Sequence, residues 1–211
     1  MFTISILGRK GGTGKTTLSL LLAWAAHQKR MKAAVIKLEG TIKVDRPFEV
    51  LDVTESYGIN QNERWNEVVT DVVARQDEID LLVIDSAANA LNYDLEAIDR
   101  SDLCLIPTTM DDQSLDYARR SLDAAKAQGK MAYVVANLTN KRSHSDVSEL
   151  LEHFSLDELL VSPDGRVLRI PTIKSIRKIN GSKPLGLLEK RAINNISSEL
   201  YKAVNYTLKE K

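Results

Sequence analysis

Residues 2–17 read Phe-Thr-Ile-Ser-Ile-Leu-Gly-Arg-Lys-Gly-Gly-Thr-Gly-Lys-Thr-Thr, and an apolar stretch of helical length follows directly. The opening run of β-branched and apolar residues is a strand, the glycine-rich middle is a tight turn, and residues 15–29 are a helix. Glycines let a backbone turn its amide groups inward onto phosphate oxygens, and the helix behind them presents its positive end. Gly11, Gly12, Thr13, Gly14 and Thr17 are therefore expected to line a phosphate cradle. Lys15 is placed for the β and γ phosphates of ATP, and the Thr16 hydroxyl for Mg²⁺.

Outward from this loop, short runs rich in Val, Ile and Leu alternate with longer stretches of helical period. Strands are predicted near residues 2–7, 33–38, 49–53, 80–85, 102–107, 132–137 and 166–170. Helices are predicted near 15–29, 62–76, 113–128, 144–154 and 187–208. This alternation is the pattern of a parallel sheet covered by helices. The fold class expected is α/β: one doubly wound, mostly parallel sheet flanked by helices, in a single domain spanning residues 1–211. Ligands of such a fold sit beyond the carboxyl ends of the strands. Residues 16–26 are apolar on nearly all sides, so that helix should lie against the sheet.

Composition excludes several classes. With 43% apolar and 27% charged residues the chain is neither disordered nor fibrous, and its formal net charge of zero predicts no whole-molecule attraction to nucleic acid or membrane. Residues 18–26 fall far short of a membrane span, and the order of apolar and basic residues at the start is the reverse of a secretory signal. A cytoplasmic protein is expected. Cys104, the one cysteine, lies in an apolar run and reads as a small buried hydrophobe. His27, His144 and His153 show no metal-ligand spacing.

The strict phosphate-loop pattern has glycine where this sequence has Arg9, and Lys10 comes next. The string Lys10-Gly11-Gly12-Thr13-Gly14-Lys15-Thr16-Thr17 resembles the deviant loop of the ParA/MinD partition and positioning ATPases, and the Asp-small-Ala segment from Asp85 looks similar to that of the short ParF-like type. The resemblance implies that Lys10 reaches across a nucleotide-sandwich homodimer to the partner's phosphates. Residues 81–89, Leu-Leu-Val-Ile-Asp-Ser-Ala-Ala-Asn, form an apolar strand ending in a carboxylate. Asp85 is placed to hold a water of the Mg²⁺ shell, and the small residues 86–89 are expected to move when the γ-phosphate leaves. Residues 101–107 are similar to the family's strand with a terminal proline. Asn137 matches a family position beside the adenine, and Pro171 with Thr172 the other side of that base pocket.

After the second strand the family usually carries Asp-x-Asp-Pro-Gln, whereas this chain has Lys37-Leu38-Glu39-Gly40-Thr41. Glu39 keeps a carboxylate where the family orients the attacking water, with Asp45 as the alternative. Lys37 puts a positive charge in place of a metal-shell carboxylate, and Glu39, Asp85 or a phosphate are its candidate partners. Hydrolysis is therefore expected to be very slow, with Lys10, Lys15, Glu39 and Asp85 as the catalytic set.

Arg166, Arg169, Lys174, Arg177 and Lys178 head a basic cluster running on to Lys183, Lys190 and Arg191. In ParA-like proteins this side contacts DNA without reading its sequence, and phosphate neutralisation of this kind is salt-sensitive. No helix-turn-helix region precedes the first strand, so operator reading is not expected. The last helix has an apolar stripe at Ile193, Ile196, Leu200, Val204 and Leu208 without bulky aromatics, which predicts packing on the sheet rather than stable membrane association. The implied function is a ParA-like partition or positioning ATPase with a ParB-like adaptor and non-specific DNA as partners. A MinD-like membrane factor and a dethiobiotin-synthetase-type ligase are the alternatives.

Overall fold

All seven expected strands form, and they join one sheet. They are β1 (Phe2–Ile6), β2 (Ala33–Lys37), β3 (Glu49–Asp52), β4 (Leu81–Asp85), β5 (Leu103–Thr108), β6 (Met131–Thr139) and β7 (Arg169–Pro171), in the order β3-β2-β4-β1-β5-β6-β7. Every neighbouring pair is parallel. The computed structural model describes residues 1–38, 47–53, 60–87, 91–139, 145–172 and 185–209.

The helices are α1 (Lys15–Gln28), α2 (Gln61–Ala74), α3 (Leu91–Asp99), α4 (Asp112–Ala127), α5 (Ser145–His153) and α6 (Leu187–Lys209). Alternation along each strand divides the core in two. Ile4, Ile6, Ala33, Val35, Leu81, Val83, Tyr133 and Val135 pack with α1 and α6. Ala34, Ile36, Leu82, Ile84, Cys104, Ile106 and Val134 pack with α2, α3 and α4 on the other face. Cys104 is fully buried, and that burial pushes its thiol up to about 12, so it behaves as the hydrophobe expected.

Helix α1 is buried all round from Thr17 to Ala26 because the sheet covers one side and α6 the other. Trp24 Nε1 donates to Asn194 Oδ1 at 2.7 Å across that contact. Ile193, Ile196, Leu200 and Val204 of α6 are buried in the same layer. Burial of four such side chains sets roughly 6–12 kcal/mol against peeling the helix away. Its apolar stripe is thus committed to the core, as its composition predicts.

The β1–β4 and β1–β5 pairings make β1 the point where the strand order reverses. On the face away from α1, Ser5 Oγ donates to the Ala97 carbonyl at 2.9 Å, so α3 lies close against β1. The ligand crevice of a doubly wound sheet opens at the carboxyl end of such a strand. That end is the glycine-rich loop.

Candidate functional site

Period-2 geometry aims a specific set of side chains at one place. On the α1 face, Ala33 and Val35 are followed by Lys37, Leu81 and Val83 by Asp85, and Tyr133 and Val135 by Asn137. All three lie at carboxyl ends of strands, on the side where the loop turns into α1.

The loop itself is held by hydrogen bonds to its own backbone. Lys15 Nζ donates to the Lys10 carbonyl at 3.2 Å, and Thr13 Oγ1 to the same oxygen at 3.3 Å. Gly12 and Gly14 have φ of 81° and 89°, in the left-handed region that glycine enters without strain. Gly14 is the N-cap of α1 and supplies no side chain, and the first turn holds no acidic residue. The backbone amides at the start of α1 therefore present a positive end with no carboxylate of their own turn beside it. Lys15 is buried at 8% exposure, so this charge belongs to the site rather than to the solvent.

Asn137 is also buried, and its Nδ2 donates to the Thr13 carbonyl at 2.6 Å. A β-carbon on Gly14 would overlap that Nδ2. Asn137 thus fixes the loop from strand β6, and its Oδ1 has no hydrogen-bond partner among the described residues. Pro171 and Thr172 end the neighbouring strand, whose Ile170 pairs in register with Asn137. The expected base-pocket residues are brought to one edge of the crevice.

Lys10 forms an ion pair with Asp111 at the N-terminus of α4. Lys10, Thr109 and Ser114 together hold the Asp111 carboxyl well below the usual carboxylate range. Asp111 was not among the residues marked from sequence. Asp94 of α3 was missed as well. Burial pushes its carboxyl up to about 6, against the opposing influence of Ser86, Lys15 and Arg9. Nothing in the spacing of Asp94, Glu96 and Asp99 distinguishes the one acid that turns inward.

Lys37 Nζ donates to Thr16 Oγ1 at 3.2 Å and to Asp85 Oδ2 at 3.4 Å. Among the described residues Lys37 thus meets Asp85, which stands directly opposite in the β2–β4 register, while Glu39, another candidate partner, lies outside them. Burial raises the Asp85 carboxyl and the Lys37 ammonium opposes that rise. A hydroxyl and a carboxylate whose Oδ1 has no partner among the described residues are hard oxygen donors of the kind magnesium takes. The resident ammonium lies across both of them.

Glu39, Asp45, Lys174, Arg177, Lys178 and Lys183 lie outside the described residues. Of the basic cluster, Arg166 pairs with Asp164 through Nε at 2.7 Å, while Lys190 and Arg191 are exposed at the start of α6. No helix among the described residues is long and apolar enough to cross a membrane.

A family model described as the CobQ/CobB/MinD/ParA nucleotide binding domain matches residues 4–182. No curated protein matches the sequence. In structure the chain is similar to the MinD cell division protein of Aquifex aeolicus, with a TM-score of 0.63 and 19% identity over 95% of this chain and 97% of that one. It is also similar to a putative plasmid partition protein of Borrelia burgdorferi bound to AMPPNP, with a TM-score of 0.61 and 15% identity over 100% and 99%. Cobyrinic acid a,c-diamide synthase of Mycobacterium smegmatis, with bound ADP and magnesium, gives a TM-score of 0.65 and 11% identity over 97% and 96%. These likenesses carry the fold, and the family match spans the loop, Lys37, Asp85 and Asn137: the chain belongs to the CobQ/CobB/MinD/ParA family of nucleotide-binding domains.

Proposed function

We propose that the protein is a ParA-like positioning ATPase of one domain, in which ATP with Mg²⁺ assembles a homodimer that coats DNA without reading it. A ParB-like adaptor then releases the dimer, so that cargo is moved or spaced in the cytoplasm. The observation that carries this reading is the loop: an uncapped, acid-free start of α1 beneath a buried Lys15, with a second lysine at Lys10. Backbone amides and Lys15 take the β and γ phosphates. Thr16 and Asp85 are the residues to hold Mg²⁺, which polarises the phosphates when bound. Lys10 neutralises the partner's triphosphate, and Glu39 orients the attacking water. The unpartnered Asn137 Oδ1 is an acceptor suited to a base amino group, with Pro171 and Thr172 flanking it.

The DNA element rests on Arg166, Arg169, Lys174, Arg177 and Lys178, in a chain whose total charge is balanced. Against membrane attachment through α6 stands its apolar stripe, Ile193, Ile196, Leu200 and Val204, which is spent on α1 and the sheet, although Leu187 and Leu188 at its start are exposed.

Calorimetry with ATP tests the reading. Lys15→Ala should weaken binding by about 30-fold or more, the loss of a charge-assisted phosphate contact from within the subunit. Unchanged affinity would remove the loop from the site. With ATP present, unrelated DNA duplexes should bind equally and lose affinity steeply as salt rises. No binding at low salt would remove the DNA element and leave the nucleotide site standing.

A further inference from the structure

Three observations meet at Lys37. Parallel register sets Lys37 opposite Asp85, and both side chains point to the α1 face where Thr16 begins the helix. The pair is withdrawn from solvent, with side-chain exposures of 10% for Lys37 and 2% for Asp85. One ammonium then donates to the Thr16 hydroxyl and to the Asp85 carboxylate together.

In the reading above, on which this inference rests, Thr16 gives its hydroxyl to the nucleotide's divalent ion and Asp85 holds the ion's shell beside it. Magnesium requires a near-octahedral shell of oxygens at about 2.0–2.1 Å. An ammonium has no lone pair to add to that shell, and it turns the Thr16 oxygen toward itself. Two cations held by the same two side chains in a site this dry repel strongly. Removing the ammonium is also costly, because Asp85 would keep a buried charge with no ion-pair partner among the described residues.

We propose that Lys37 is a resident cation of the phosphate site: its ammonium supplies the charge beside a bound nucleotide that a divalent ion otherwise supplies, and Lys37 and Mg²⁺ exclude one another there. Nucleotide binding by this chain therefore persists without metal. For Thr16 and Asp85 to hold Mg²⁺, Lys37 would have to leave Thr16. Among the described residues Thr16 and Asp85 take two of the three ammonium hydrogens, and in this proposal a phosphate oxygen takes the third.

The test is ATP affinity in EDTA and in millimolar Mg²⁺, read by calorimetry on the full chain. The unmodified protein should change by about threefold or less on metal removal, whereas Lys37→Met should lose about 30-fold in EDTA and recover it with Mg²⁺, the size of one charge-assisted hydrogen bond. The comparison on the unmodified protein stands even if the variant is too unstable to purify. A 30-fold loss by the unmodified protein in EDTA would overturn the proposal while leaving the nucleotide site intact. Absence of ATP binding under every condition would overturn the nucleotide reading and this inference with it. A second readout is Mn²⁺ binding followed by electron paramagnetic resonance with ATP present. Lys37→Met should take up Mn²⁺ more tightly than the unmodified protein, and equal affinity would count against mutual exclusion.

Discussion

Lys10 and Asp111, 101 positions apart, are joined by an ion pair that ties the phosphate loop to the first turn of α4 within one subunit. Asp111 is at the same time the N-cap of that helix, accepting from the Ser114 amide at 3.1 Å. If Lys10 serves a partner's phosphate as proposed, it has to leave Asp111 first.

Asp111→Asn keeps a good helix cap and removes the charge. It should tighten ATP-dependent dimerisation about two- to fivefold, in keeping with an exposed pair worth about 0.2–1 kcal/mol. Sedimentation equilibrium with a non-hydrolysable analogue measures this, and an unaltered dimer constant would mean that the home contact does not restrain Lys10. The depressed Asp111 carboxyl contributes stability that is present above its unfolded pKa and lost only as pH falls through the folded one. Asp111 therefore stays ionised in any neutral buffer.

A second expectation concerns Gly14 and Asn137. Gly14→Ala combines a left-handed φ of 89° with overlap on Asn137 Nδ2, and should cost about 2–4 kcal/mol in urea unfolding. Asn137→Ala alone removes the bond to Thr13 and should cost about 1–2 kcal/mol. Because the side chain removed is the one obstructing the new methyl, the double variant should lose about 1 kcal/mol less than the sum. Strict additivity would show that Asn137 is not the obstacle.

The buried Asp94 makes a pH-dependent claim. Its folded pKa, about 6, lies above the ordinary value of 3.8, so the folded protein binds this proton more tightly than the unfolded chain does. The stability it contributes is complete below the ordinary value and is lost as pH rises toward 6. Asp94→Asn should then stabilise by about 1–3 kcal/mol at pH 7.5 and by almost nothing near pH 4. Lys15, Arg9 and Ser86 are the groups near it that oppose the shift. Denaturation giving the same difference at both pH values would mean that the carboxyl does not titrate in this window.

Strands were legible because those covered on both faces are short, largely apolar or β-branched runs, most plainly Leu81–Ile84 of β4 and Leu103–Ile106 of β5. Helix α3 was not, because among its described side chains Ala97 and Ile98 are buried while Leu95 is half exposed, too narrow a stripe for a periodic signal. The last strand was predicted from 166 but begins at Arg169. Residues 161–167 are used instead in a small antiparallel turn around Gly165, where the Ser162 amide donates to the Arg166 carbonyl at 2.8 Å. In the site, the loop motif is local and was readable residue by residue. Lys37 with Asp85, Lys10 with Asp111, and Asn137 with Thr13 are meetings across strand register or the end of the sheet, which no spacing along the chain announces.

The layer in which α1 lies between the sheet and α6 also dictates an order of assembly. Contacts such as Trp24 to Asn194 and Tyr201 to Met31 each span 170 positions, so one side of the helix behind the phosphate loop has no cover until α6 has been synthesised. A nascent chain released from the ribosome before that point carries Leu20, Leu22 and Trp24 in a layer half built, a surface for chaperones rather than for nucleotide. Long-range closure of this kind is slow compared with helix formation, so the ligand site matures among the last parts of the molecule. A partly made subunit would therefore lack the nucleotide site on which the proposed dimer depends.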